Sequence, residues 1–362
     1  MKKLCIVPYT KAEYSLLPFL EEEYVISALI TPSGIGLEGQ DISVLLNREP
    51  TKYAMTNMLE EGIGKSDVVL VSDVCCDNLS LYKYMKEALS LAIKMEKDII
   101  CCSELTSSEK KMFSSQCRRN GKHWHYVPRA NHEFLPWGSE LYTIIPPVLY
   151  IAEMIPGCDG YEVFLSLVKA LEMIGKRVLA ISNDKYNNLL GLDCLDWDFG
   201  VPLDRKCVTL NNAVHSIVEE KAADIVIVRL PYPLIKYDEK HPFDLGIMAD
   251  YITNALPGSA CIFCTLAGFE ERSFWDGINS AIRSRFGFPI IAIHLSNKIL
   301  DSTVSSDLNT VCIPHIDIQS FLSKMKNETS IPTYDLTQET DIISLSQSIA
   351  DNYINLRYGV IE

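Results

Sequence analysis

The sequence predicts an α/β fold built from two open, doubly wound sheets in succession. Three observations carry this. The chain has 362 residues, about twice the usual length of one domain. Short, nearly continuous apolar runs recur along it, as expected of strands buried on both faces of a parallel sheet. Longer runs with helical periodicity alternate with them, which implies right-handed crossovers.

In the first half, KLCIVPY, EYVISALIT, SDVVLVSDV and KDIICCSEL read as strands. Between the third and fourth, Leu81, Met85, Ala88, Leu89 and Ala92 repeat at helical spacing. A second helix, SSEKKMFSSQCRRNG, opens on serines and closes on Gly121. These elements assign residues 1–128 to the first domain. Pro128, Pro136, Pro146 and Pro147 then mark a stretch that resists regular structure, so residues 129–147 are read as a linker.

Residues 148–362 restart the alternation. Strand VLYIAEMI leads through PGCDG into helix YEVFLSLVKALEMIG and strand KRVLAISN. Helix NNAVHSIVEEKA precedes strand DIVIVRLP, and helix LGIMADYITNAL precedes strand ACIFCTLA. Helix RSFWDGINSAIRSRFG leads into strand FPIIAIHLSN, with a last strand expected at NTVCIPH and a closing helix over Thr337–Tyr358.

Composition narrows the function. With 48% hydrophobic and 22% charged residues, the chain is an ordinary globular one. Its net charge of −14 argues against gripping nucleic acid, which normally needs a basic patch. Twelve cysteines are too few for a disulfide scaffold of this length, and several lie inside apolar strands. The N-terminal apolar stretch is too short for a signal peptide, and no run approaches the ~20 residues that span a bilayer. The expectation is a reduced, cytoplasmic protein with no membrane partner.

Ligands of doubly wound sheets bind beyond the carboxyl ends of the strands. After the first strand of the second domain comes Ile155-Pro156-Gly157-Cys158-Asp159-Gly160-Tyr161-Glu162, where a phosphate-binding loop would open a helix. The motif for such loops is G-x-x-x-x-G-K-[ST]. Aligned on Gly160, this chain puts Ile155 on the first glycine, Tyr161 on the lysine and Glu162 on the hydroxyl residue. A phenol cannot neutralise phosphates, and Glu162 adds negative charge where a magnesium-binding hydroxyl belongs. Nucleotide hydrolysis is therefore not expected. Gly157, Asp159, Gly160 and Tyr161 remain candidates for a weaker ligand site, against a purely structural turn.

Other motifs are weaker. Gly34, Gly36 and Gly39 satisfy G-x-G-x-x-G but follow the second strand, which favours a loop. Cys261 and Cys264 spell C-x-x-C within a strand, so their side chains point to opposite faces and suit core packing. Cys117, His123, His125 and His132 cluster without a carboxylate or second thiol at ligand spacing, and no metal or other cofactor is expected.

Ser182, Asn183 and Asp184 end the next strand and lead into an acidic loop with Asp193, Asp196 and Asp198. Arg229 ends another, before an irregular segment holding Asp238, His241 and Asp244. Arg229 either grips a carboxylate or phosphate or pairs with a nearby aspartate. His241 is a candidate general base, Glu162 a candidate catalytic carboxylate, and Cys158 a candidate nucleophile if the helix N-terminus lowers its pKa. The alternative for Cys158 is a tolerated loop residue.

Over its whole length the chain resembles the "peptide maturation system" proteins of clostridial-type clusters that make cysteine-rich ribosomal peptides. The resemblance lies in MKKLCIVPYT, TPSGIGLEGQDIS, VVLVSDV and GCDGYEVFLSLVKALEMIGKRVLAISND. It implies a role beside a radical S-adenosylmethionine maturase, an acyl-carrier-related protein and a precursor peptide. More remotely, through IVRLPYPLIKYDEKHPFDLGI and IAIHLSNKIL, the chain resembles a two-domain family that includes D-glutamate N-acetyltransferases. That likeness implies a Rossmann-like N-terminal domain and a P-loop-like C-terminal domain, here with a degenerate phosphate loop. Tyr161 and Glu162 replace that family's lysine and hydroxyl, and Arg229 stands where it ends a strand with an acid near its E-G-Q-G segment. Those departures count against inherited nucleotide or acyl-CoA binding.

The leading expectation is an accessory protein that binds a precursor peptide or a co-encoded partner without hydrolysing nucleotide. One alternative is an acyl-transfer enzyme acting on a peptide or amino acid through Cys158, Glu162, Asp184, Arg229 and His241. The other is a residual phosphate or nucleotide sensor.

Overall fold

The computed structural model describes residues 1–34, 38–45, 51–74, 78–128, 140–195, 197, 202–234, 236, 244–268, 271–301 and 313–355. The chain forms two compact units. One comprises Met1–Arg129 with Asp184–Gly191, the other Ala130–Asn183 with Leu192–Glu362.

The first unit runs through β1 (Lys2–Val7), a 3₁₀ turn leading into α1 (Leu17–Glu23), β2 (Tyr24–Ile30), β3 (Met55–Thr56), α2 (Leu59–Gly64) and β4 (Val68–Val71). It continues with α3 (Leu79–Lys94), β5 (Asp98–Cys101), α4 (Ser107–Arg119) and β6 (Trp124–Tyr126). The sheet order is β3-β2-β1-β4-β5-β6, with every pair parallel. All four residues of β4 are buried, the mark of a central strand covered on both faces. Met85, Ala88, Leu89 and Ala92 of α3 pack into the core as their spacing predicts. Thr106 and Glu109 form a reciprocal capping box that starts α4.

The second unit contains β7 (Val148–Glu153), α5 (Gly160–Met173), β8 (Val178–Ser182), β9 (Asp193–Cys194), α7 (Leu203–Lys221) and β10 (Ile225–Arg229). The short α6 (Tyr186–Leu189) lies in the segment that belongs to the first unit. Then follow α8 (Ile247–Ala255), β11 (Ala260–Ala267), α9 (Arg272–Phe286), β12 (Ile290–Ile299), α10 (Gln319–Glu328), β13 (Thr333–Tyr334) and α11 (Glu339–Ile349). The parallel sheet has the order β13-β12-β11-β7-β10-β8-β9. All residues of β7 and β11 are buried, Cys261 and Cys264 among them.

The closing helix is shorter than expected. Beyond Ile349 it widens into a π-helical turn over Ala350–Ile354, and residues 356–362 lie outside the described part. Most of the expected strand NTVCIPH, together with Gly36, His132, Asp196, Asp198, Asp238 and His241, also lies outside it. Among the described residues, no helix is long and apolar enough to cross a membrane.

Candidate functional site

In the second unit, β7 lies between β10 and β11, so chain order reverses direction at this strand. Its carboxyl end is the topological switch point, the place where doubly wound sheets put their ligands. The loop following it is the one that aligns with a phosphate-binding loop. It is organised around two carboxylates, Glu153 and Asp159.

Glu153 is the last residue of an otherwise apolar strand and is 9% exposed. A carboxylate so buried needs partners, and it has two. The backbone N–H of Gly160 donates to its Oε1 at 3.2 Å, and Arg229 Nη2 donates to its Oε2 at 3.0 Å. Gly160 opens α5, so Glu153 lies on the helix N-terminus, the seat a phosphate takes in a nucleotide-binding loop. Glycine is required there for space: a Cβ on Gly160 would lie 2.6 Å from Glu153 Cγ.

Asp159 precedes the helix with a left-handed φ of 64°. Lys298 Nζ pairs with its Oδ1 and also donates to the Gly157 carbonyl at 2.7 Å. Ser296 Oγ donates to its Oδ2 at 2.5 Å. The fully buried His294 accepts the Leu336 N–H on Nδ1 at 3.1 Å. A neutral ring therefore carries its proton on Nε2, which faces Asp159 Oδ2 at 3.6 Å. Burial would raise the Asp159 carboxyl, but His294 and Lys298 outweigh it and hold the group far below the usual carboxylate range.

The structure brings Gly157, Asp159, Gly160, Tyr161 and Arg229 to this loop. Arg229 pairs with Glu153 at the end of β7. Tyr161, in the lysine position, lies 5.5 Å from the Arg229 guanidinium and stacks on Phe164. Glu162 sits in the first turn of α5, where its charge favours the helix N-terminus. Cys158 is completely buried, and burial, with Glu153 adding to it, pushes its thiol far up rather than down. A lowered-pKa nucleophile is therefore the wrong reading of Cys158.

Ser182 closes β8, and its carbonyl accepts the Leu195 N–H at 2.9 Å; Asn183 follows, half-buried. Asp184 belongs to the first unit and accepts the Tyr186 N–H at 2.9 Å. Asp244 accepts the N–H groups of Gly246 and Met248, each at 2.9 Å, and so starts α8. Asp193 is likewise paired internally, with Lys221 at 2.6 Å.

Sequence reasoning missed Glu153, His294, Ser296 and Lys298. A signal existed for three of them. Positions 294, 296 and 298 alternate along one strand, so an H-x-S-x-K pattern puts three polar side chains on one face.

The first unit has its own switch point, between β1 and β4. Glu13 is buried there and accepts from Tyr186 Oη at 2.6 Å, Thr10 N at 2.6 Å and Thr10 Oγ1 at 2.7 Å. The Asp73 N–H donates to the Tyr186 hydroxyl at 3.0 Å. Lys185 pairs with Asp73 at 2.9 Å and Glu104 at 3.4 Å. The crevice where a dinucleotide lies in such sheets thus holds Lys185 and Tyr186 of the same chain.

No family model and no curated protein matches the sequence. The chain is similar to the crystal structure of a DUF1611 family protein from Anabaena variabilis ATCC 29413. The TM-score is 0.61 at 12% identity, over 97% of this chain and 100% of that one. The structure of chloroplast FtsY from Physcomitrella patens aligns with a TM-score of 0.28 at 12% identity, over 74% of this chain and 92% of that one. The first likeness shows the fold alone, one of two α/β sheets compatible with a Rossmann-like and P-loop-like pair.

Proposed function

We propose that the protein is a non-hydrolysing accessory protein of a ribosomal-peptide maturation system, binding the precursor peptide or a co-encoded maturase or carrier-like partner. The observation that carries the non-hydrolysing part is the Glu153 carboxylate on the Gly160 N–H. A triphosphate entering the loop would have to displace this carboxylate, and it would also meet Asp159 and Glu162 while lacking the loop lysine. Catalysis through Cys158 loses its support with the thiol's burial. The maturation context rests on the resemblance along the whole sequence.

The test is affinity capture of the full chain with the co-encoded precursor, maturase and carrier-like protein, beside calorimetric titration with ATP and Mg²⁺. Retention of at least one partner and no nucleotide heat is the expected result. Binding of none of the three, or saturable ATP binding, overturns the proposal.

A further inference from the structure

The outer edge of the first sheet is only half covered. β3 pairs with β2 at Leu29 and Ile30 alone, so Tyr24–Ala28 has no strand partner on that side among the described residues. The reason is local. Had residues 52–54 continued β3 backwards, they would have lain along this edge. Instead Ala54 pairs with Asp41, and the Tyr53 carbonyl accepts the Ile42 N–H at 3.0 Å. The chain peels away and leaves a groove of about 780 Å³ between β2 and Lys52–Ala54.

The groove has a polar latch and a smaller side cavity. Tyr53 Oη donates to Glu21, and Lys52 Nζ pairs with the same carboxylate at 3.0 Å. The side cavity, about 280 Å³, is lined by the latch residues together with Leu17, Pro18, Ile42, Tyr14 and Thr51. Tyr53, opposed by a smaller effect of burial and aided by Lys52, holds Glu21 below its usual pKa, so it stays charged. Glu21, Glu22 and Glu23 stand directly before the open strand, giving that end an acidic rim.

We propose that this groove takes an extended peptide, added as a strand beside Tyr24–Ala28, with a lysine or arginine against the Glu21 end. That the occupant is a peptide rests on the function proposed above. Five residues of edge span about 17 Å, room for one short extended segment whose main chain pairs with the open backbone. The acidic rim selects a cationic side chain, which can replace the Lys52 ammonium on Glu21, since the Lys52 side chain is 74% exposed. Lys52–Ala54 line the groove opposite the open strand, and pairing of this edge with a second copy is a separate outcome of the experiment below.

The experiment follows amide hydrogen exchange over Tyr24–Ala28 in the full chain, with a fluorescein-labelled synthetic hexapeptide of alternating valine and threonine ending in two lysines. Expected are protection of those amides and about tenfold weaker binding when alternate peptide amides are N-methylated, because main-chain hydrogen bonds carry the affinity. Glu21→Gln should weaken binding about threefold by removing the part-exposed charge. Val25→Pro should abolish binding, with a melting curve to confirm that it folds. Absence of protection, or protection produced by self-association in light scattering without peptide, overturns the proposal. The two proposals fail separately. If the synthetic probe protects the edge and the co-encoded precursor does not bind, the groove stands and precursor binding falls. If the precursor is captured without protecting Tyr24–Ala28, the groove falls and the accessory role stands.

Discussion

Both sheets are parallel and doubly wound, in different strand orders, and both place their own side chains at the switch point, yet they partner their buried carboxylates by different electrostatic means. In the second unit the buried carboxylates meet cations: Asp159 has Lys298, beside the Nε2–H of His294, and Glu153 has Arg229. In the first, Glu13 meets hydroxyls and a backbone amide. A cation offsets the charge itself, whereas neutral donors only replace part of the lost water. Asp159 is accordingly held low, while burial raises Glu13 despite its hydrogen bonds from Tyr186 and Thr10. A buried carboxylate beside such a crevice can thus be held by an ion pair or by neutral donors.

Removing one cation from each unit should separate the two most widely. Lys298→Met leaves the Asp159 charge buried, and breaking such a pair costs about 3–5 kcal/mol. Lys185→Met should cost only about 1 kcal/mol, because its partners are part-exposed and water can solvate them. The Asp73 and Glu104 side chains are 36% and 48% exposed, against 8% for Asp159. Urea denaturation of the two variants reads the difference. Equal losses would mean that the two clusters are equally hydrated. Asp159→Asn added to Lys298→Met should recover part of the stability.

A smaller effect tests the fit of Glu153 to the helix start. Gly160→Ala places a methyl group against the Glu153 side chain and should cost about 2–3 kcal/mol. In a Glu153→Ala background the same methyl finds space, so the two changes should be strongly non-additive. Additivity in that double-mutant cycle would show that the carboxylate does not depend on glycine at this position.

What was legible in the sequence follows from the same physics. Strands buried on both faces announce themselves as apolar runs, so β1, β2, β4, β5, β7, β8, β10, β11 and β12 could all be read. The edge strands β3, β9 and β13 have two residues each, too few to display any period. β6 lies in a His-Trp-His-Tyr tract that reads as loop. The loop's position was legible from the strand it follows, and its departure from the phosphate-loop motif from Tyr161 and Glu162. Its partners were not. Glu153 looks like an ordinary strand end, and pairing it with Arg229 across 76 residues needs the register of β10 against β7.

The finest test is the sign of the pH dependence. Asp159 has a folded pKa below its unfolded value of about 3.9, so the stability it contributes is present above that value and is lost as pH falls toward the folded one. Glu13 has a folded pKa above its unfolded value of about 4.3. Its contribution is fullest below that value and declines as pH rises from there through the folded pKa. Melting temperatures of wild type, Asp159→Asn and Glu13→Gln between about pH 3 and 7 separate the two, with differences on the order of 1 kcal/mol. The advantage of wild type over Asp159→Asn should grow as pH rises from the acid end. Its advantage over Glu13→Gln should shrink over the range above about 4.3. If both advantages moved in the same direction, the two buried carboxylates would be held by one electrostatic mechanism rather than two.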